Sequence, residues 1–190
     1  MRIGFDIDGV LADFETGLYE RLKETGHVMP PRAQLSNNFF WEAQVPAAKS
    51  EIHTLFGPNQ NDFWENLPAV DEGADFDVIS EYIKSKKDDV YFVTSRPNHL
   101  LKPTKKWLGQ NLDLDNVHIV MGTVSKASIC RGLGLATYID DRFLYAYEVA
   151  HCSQTRSYML SNSANFYFGD VSESLVNRVG SVVEYIREVG

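Results

Sequence analysis

The strongest constraint on this chain is its opening stretch, Ile3-Gly4-Phe5-Asp6-Ile7-Asp8-Gly9-Val10-Leu11-Ala12-Asp13. A short apolar run rich in strand formers breaks at Gly9, and Leu11, Phe14, Leu18 and Leu22 then recur at helical spacing as far as Gly26. The segment therefore reads as strand, turn and helix. Side chains alternate along a strand with period two, so Asp6 and Asp8 are aimed at one small volume as the chain leaves the sheet. In an open parallel sheet that volume, beyond the carboxyl ends of the strands, is where ligands bind.

Residues 27 to about 74 have a different character, with Pro30-Pro31, the aromatic run Phe39-Phe40-Trp41, a short helical pattern through Ala48, Ile52, Leu55 and Phe56, and the turn-rich Gly57-Pro58-Asn59. From Asp75 the pattern becomes regular. Phe76, Ile79, Tyr82 and Ile83 mark a helix, and strands follow at 90–93, 117–120, 136–139 and 157–160. Helices are predicted between them, near 103–110, from Lys126 to Leu133 and from Phe143, and a last helix carries Leu175, Val179, Val183 and Ile186. Short apolar strands alternating with helices imply an α/β fold, a doubly wound parallel sheet covered on both faces. The expected organisation is a core of residues 1–15 and 75–190 with a small helical cap, 16–74, inserted after the first strand.

The 190 residues suffice for one sizeable core with a small appended unit. A formal net charge of -8 disfavours nucleic acid as a partner. No run of eighteen apolar residues or basic-then-apolar start occurs, so the sequence predicts a cytoplasmic chain without a membrane partner. The two cysteines, Cys130 and Cys152, form no CxxC or His/Cys cluster and are expected as free thiols.

Three predicted strands end in polar residues: Asp6 and Asp8, Thr94 and Ser95, Asp140 and Asp141. Parallel strands put those ends on one rim. Two unit charges about 4 Å apart repel by about 4 kcal/mol at an effective dielectric of about 20, so four grouped carboxylates need protons or a cation. Oxygen ligands without His or Cys favour a hard ion, and a site that also holds phosphate favours Mg²⁺. Lys126 adds positive charge at a helix start, where backbone N–H groups already favour an anion. Thr94, Ser95 and Lys126 thus suit a phosphoryl group, whose oxygens gain charge as its bond breaks.

Asp6-Ile7-Asp8-Gly9-Val10, Thr94-Ser95, Lys126 and Asp140-Asp141 resemble, in order, the four motifs of the haloacid dehalogenase superfamily. The resemblance implies that Asp6 is a nucleophile forming an aspartyl phosphate and that Asp8 protonates the leaving alcohol and later activates water. It implies a phosphatase of the 5'-nucleotidase type, with Asp6, Asp8 and Asp141 about the Mg²⁺ and Asp140 supporting them from behind. The insertion is similar to the small helical cap of the 5'(3')-deoxyribonucleotidases, through Asp8–Phe14, Phe40-Trp41, and Phe63-Trp64-Glu65-Asn66-Leu67-Pro68 with Gly73-Ala74. That likeness implies a small nucleotide substrate, a base pocket walled by Phe14, Phe40 and Trp41, and a homodimer. Phe63 and Trp64 fit either the cap's own core or the pocket wall.

Arg96 stands where that family usually has proline, and Phe56 is the nearest counterpart of a further family aromatic. The Thr-Ser-Arg arrangement is similar to phosphatase domains acting on polynucleotide 3' ends, which would make Arg96 a substrate contact. A polynucleotide 3'-phosphatase, or another small-molecule phosphomonoesterase, is therefore the alternative enzyme. A phosphoacceptor signalling domain is the alternative outside catalysis, although its acceptor would follow a middle strand and no large insertion would follow the first.

Overall fold

The computed structural model describes residues 1–31, 45–86, 89–161 and 175–190. Among them six strands form one parallel sheet in the order β3-β2-β1-β4-β5-β6. They are β1 (Arg2–Phe5), β2 (Asp89–Val93), β3 (Val117–Val120), β4 (Thr137–Asp140), β5 (Arg156–Leu160) and β6 (Val176–Val179). The chain runs outward from β1 through β2 to β3, then returns to β1's other side for β4. The strand order therefore reverses at β1 and β4, where an open sheet leaves a crevice at its carboxyl rim.

Period-two alternation divides the core into two layers. Ile3 and Phe5 of β1, Val90 and Phe92 of β2, Ile139 of β4 and Tyr158 of β5 face one side, in a continuous cluster with Phe76, Ile79, Trp107, Leu108, Val182 and Tyr185. Those partners come from α4 (Ala74–Lys86), α5 (Leu101–Gly109) and α8 (Val182–Val189). Tyr91, Val93 and Tyr138 face the other side and pack with Ala127, Cys130 and Val149 of α6 (Lys126–Leu133) and α7 (Phe143–Cys152). On that face Gly4 leaves space that the Tyr138 ring fills, since an added Cβ would lie 2.8 Å from Tyr138 Cδ2.

Helix α1 (Phe14–Glu24) starts directly after the β1 loop, capped by Asp13, whose carboxylate accepts from Thr16 N–H at 3.0 Å. The insertion contributes α2 (Lys49–Leu55) and α3 (Asn61–Glu65). It rejoins the core beside its departure point, where Asp13 N–H donates to Pro68 O and Val70 N–H to Leu11 O, each at 2.8 Å. Its buried residues, among them Ala48, Ile52, Leu55, Phe63 and Trp64, are continuous with the main core.

One predicted element is corrected. The spacing of Leu175, Val179, Val183 and Ile186 predicts a single helix, but residues 176–179 pair with β5 as β6, and only 182–189 are helical. Gly180 interrupts the chain, and Ser181 caps the new helix by accepting from Glu184 N–H at 3.1 Å. Leu175 and Val179 match a helical face by coincidence. The two cysteines are free, with Cys130 buried and Cys152 exposed. Among the described residues no helix is long and apolar enough to cross a membrane.

The central seam is tied by one phenol. The Tyr185 hydroxyl lies 2.7 Å from Thr137 Oγ1 on β4 and donates to Gly4 O on β1 at 3.3 Å, all of it buried. Tyr185→Phe leaves the buried Thr137 hydroxyl short of a partner, so the urea midpoint is expected to fall by the equivalent of about 1–3 kcal/mol with an unchanged slope.

Candidate active site

Strand register alone assembles the site. Phe5 pairs with Ile139 across β1 and β4, so one step further Asp6 stands beside Asp140, and Asp6 N–H donates to Ile139 O at 2.9 Å. On the other flank Phe5 pairs with Phe92, which brings Thr94 to the same rim. The loop after β1 folds tightly on itself, with the Ile7 carbonyl accepting from Leu11 and Ala12 N–H. Gly9 within it has φ 85°, and an added Cβ would collide with the Asp141 carboxylate. Glycine is required there for both backbone and space. Asp6, Asp140 and Asp141 offer oxygens that all lie within 4.8 Å of one another, and all three residues are buried.

Lys126 holds this cluster together. Its Nζ lies 2.7 Å from Asp6 Oδ2 and 2.7 Å from Asp140 Oδ2, with only 2% of the side chain exposed. The lysine opens α6, whose cap Ser125 accepts from Ser128 N–H at 3.2 Å. Asp140 is also bound by Tyr138 OH at 3.0 Å and by Arg142 N–H at 2.9 Å, so both its oxygens are engaged by the protein. Burial pulls the Lys126 ammonium down, but Asp140 and Asp6 more than offset that and hold it above its ordinary range. Burial raises the Asp6 carboxyl to about 7, against the lowering effect of Lys126 and with further raising by Asp140 and Asp8. Asp141 is driven well above the carboxylate range, first by burial and then by Asp140 and Asp6. Three carboxylates against one shared ammonium leave an excess of negative charge, and the donor set is all oxygen. These residues fit a hard divalent cation.

Asp8 is placed differently from its neighbour. Its carboxylate accepts from both edges of the Arg96 guanidinium, from Nε at 2.9 Å and Nη2 at 2.6 Å. The carboxylates that gather are thus Asp6, Asp140 and Asp141, while the Asp8 side chain is turned to Arg96. Thr94 is buried, and its Oγ1 accepts from Arg96 N–H at 3.1 Å, which leaves its own O–H to donate elsewhere. Ser95 is exposed at the cavity.

A cavity of about 230 Å³ opens onto these groups, lined by Asp6, Asp8, Thr94, Ser95, Arg96 and Lys126 on its polar side. Phe14, Phe56, Trp64, Arg142 and Tyr145 make up the rest of its lining. Trp64 is fully buried with its indole N–H donating to Leu55 O at 2.7 Å, and it stacks on Phe14 with ring centroids 5.7 Å apart. It is both cap core and cavity lining. Phe63 packs edge-on against that pair. Phe40 and Trp41 lie outside the described residues. Arg142 and Tyr145 were missed in the sequence. The Tyr145 ring is in reach of two cations, Lys126 and Arg142, each 4.7 Å from its centroid. Their signal was available: Arg142 directly follows the Asp pair, and Tyr145 comes three residues later, on the first turn of the next helix.

No family model matches the chain. It is 27% identical over 154 residues to a protein of Oceanobacillus iheyensis named "Putative nucleotidase OB0422", covering 75% of this chain and 77% of that one. A Thermotoga maritima structure titled "putative beta-phosphoglucomutase" superposes with a TM-score of 0.62 at 18% identity, over 99% of this chain and 97% of that one. A haloacid dehalogenase-like hydrolase of Streptococcus pneumoniae superposes with a TM-score of 0.59 at 14% identity, covering 100% and 98% of the two chains. The parallel sheet with its flanking helices therefore has the α/β architecture of haloacid dehalogenase-like proteins.

The electrostatics generate a stability test. Because burial lifts Asp6 from 3.8 to about 7, the metal-free folded state keeps a proton that the unfolded chain has released. The resulting stabilisation is complete below about pH 4 and is lost as pH rises through about 7, by up to about 4 kcal/mol. In chelator, the thermal midpoint is expected to fall from pH 5 to pH 8, and millimolar Mg²⁺ is expected to restore it at pH 8. A flat profile unaffected by Mg²⁺ would refute a cation site at the three carboxylates.

Proposed function

We propose that the chain is a Mg²⁺-dependent phosphohydrolase of nucleoside monophosphates that works through an aspartyl phosphate on Asp6. The observation that carries this reading is the placement of Asp6. It ends the central strand at the sheet's reversal point, faces a cavity, and shares one buried lysine with the acid opposite. A carboxylate nucleophile must be ionised and held in line with phosphorus, and Lys126 favours both conditions.

Asp6 and Asp141 would hold the Mg²⁺, with Asp140, engaged by Lys126, Tyr138 and the Arg142 N–H, supporting them from behind; when bound, the ion supplies positive charge toward the phosphoryl oxygens. The chain's own groups account for the rest. The Thr94 hydroxyl, Ser95 and the Lys126 ammonium bind those oxygens. An Asp6 oxygen forms the new bond to phosphorus as the ester P–O bond breaks, and the departing oxygen takes a proton from Asp8, one of whose oxygens must give up its Arg96 hydrogen bond to carry that proton. Asp8, now a carboxylate, removes a proton from water as that water attacks phosphorus, releasing phosphate and restoring Asp6.

The remaining wall speaks to the leaving group. Phe14, Phe56 and Tyr145 present aromatic surface around the polar floor, with Trp64 buried behind Phe14, which suits the flat face of a nucleobase. The name of the Oceanobacillus iheyensis relative points the same way. Arg96, the residue that favours a polynucleotide end in the sequence, has its forked edge taken up by Asp8. An Arg96 so engaged lends less support to a polynucleotide end, and the reading taken here is a monomeric nucleotide.

With Mg²⁺ present, the protein is expected to release inorganic phosphate from deoxynucleoside and ribonucleoside monophosphates, and more slowly from a 3'-phosphorylated oligonucleotide. Asp6→Asn is expected to lower the rate by at least about a thousandfold, since it removes the attacking oxygen rather than a supporting contact. Turnover that survives this substitution would refute Asp6 as nucleophile.

A further inference from the structure

Asp8 sits on a short loop with 20% of its side chain exposed, and the contact that fixes the plane of its carboxylate is with Arg96. Its Nε and Nη2 each donate to one Asp8 oxygen, a forked pair that sets distance, plane and direction together. The guanidinium is itself immobilised. Nη1 donates to the buried Thr104 hydroxyl at 3.1 Å, and one face lies 4.8 Å from the Trp64 ring centroid while Trp107 lies at 6.0 Å. Only 1% of the side chain is exposed. Three of its N–H groups are therefore committed within the protein, and its planar face is covered by an indole from the cap.

We infer that Arg96 is a positioning residue that acts through Asp8, orienting its carboxylate toward the leaving oxygen, and does not bind the phosphoryl group. The inference rests on the phosphatase reading above and assigns Arg96 a different part from the substrate contact its Thr-Ser-Arg setting implies. The Trp64 contact adds a consequence. The same ring that lines the aromatic cavity backs the guanidinium, so the cap's packing and the placement of Asp8 are mechanically joined. Misplacing a reacting group by about 1 Å costs roughly a hundredfold in rate.

The test separates help to the leaving group from binding of phosphate. A nucleoside monophosphate expels an alkoxide that needs a proton, whereas p-nitrophenyl phosphate expels a phenolate that leaves without one. Arg96→Ala is expected to lower kcat/KM for the nucleoside monophosphate by about a hundredfold and that for p-nitrophenyl phosphate by less than about tenfold. Competitive inhibition by inorganic phosphate is expected to change by less than about threefold. Arg96→Lys is expected to behave like Arg96→Ala, because an ammonium cannot fork onto both oxygens. Should Arg96→Ala fail to fold by circular dichroism, Arg96→Lys carries the same comparisons. Equal losses on both esters with weakened phosphate inhibition, or rescue by lysine, would overturn the inference and make Arg96 a phosphate ligand. Absence of turnover of either ester by the unaltered protein would instead overturn the phosphatase reading itself.

Discussion

The buried bridge from Lys126 to Asp6 and Asp140 is the interaction on which the site depends. Parallel register sets two acids side by side at the ends of β1 and β4, where strands lie roughly 4.8 Å apart. Two ionised carboxylates at that spacing repel by about 3–4 kcal/mol at an effective dielectric of about 20. Taking all three charges out of water adds a further cost, and a buried ion pair rarely stabilises a fold beyond what apolar packing would give. Its presence here is best understood through what it holds in place. The ammonium lowers the Asp6 carboxyl against the raising effect of burial, and Tyr138 and the Arg142 N–H keep Asp140 pointed at the ammonium.

The polar floor and the aromatic wall are built by different means. The floor comes from strand ends and one helix start, so its geometry follows from hydrogen-bond ladders that also carry the core. The wall comes partly from the insertion, whose two strands of connection run side by side at Asp13 and Pro68–Val70. A rigid rim with a separately constructed wall suits an enzyme in which the reacting atoms must be held closely while the leaving group varies. Phe14 and Trp64 belong to both parts, as cap packing and as cavity lining.

Much of this was legible in the sequence because it depends on local pattern. Gly9 after Asp8, the polar pairs closing 90–93 and 136–139, and Lys126 at a helix start all announce a rim of functional groups. What could not be read depends on contacts distant along the chain. Arg96 meets Asp8 across 88 positions, and no periodicity encodes that pairing. Asp8 is written in the same motif as Asp6, yet a guanidinium from another strand end turns its carboxylate away from the three grouped acids. Trp64 resisted assignment because a large aromatic at that position suits either packing within the insertion or a pocket wall; it is fully buried, stacked on Phe14 beside the cavity. Strand β6 was hidden because Asn177 and Arg178 at its centre break the apolar run that marks the other strands, and Leu175 and Val179 happened to extend the apolar stripe of α8.

Charge balance in the cavity also bears on how a phosphoryl dianion could enter. Asp6, Asp8, Asp140 and Asp141 face it or lie just behind it, and Lys126, Arg96 and Arg142 oppose them. With all four acids ionised, four against three bases would leave the rim with an excess of negative charge, and two of the three bases are already bound to those acids. Such a rim repels phosphate. Protonation of Asp6 and Asp141 would relieve the repulsion, but it would also take from Asp6 the ionised form that the proposed reaction needs. A divalent cation held by the same oxygens reverses the sign of the rim while keeping Asp6 ionised. Under the proposed function, a bound divalent cation is what would make attraction of a phosphoryl dianion compatible with an ionised Asp6.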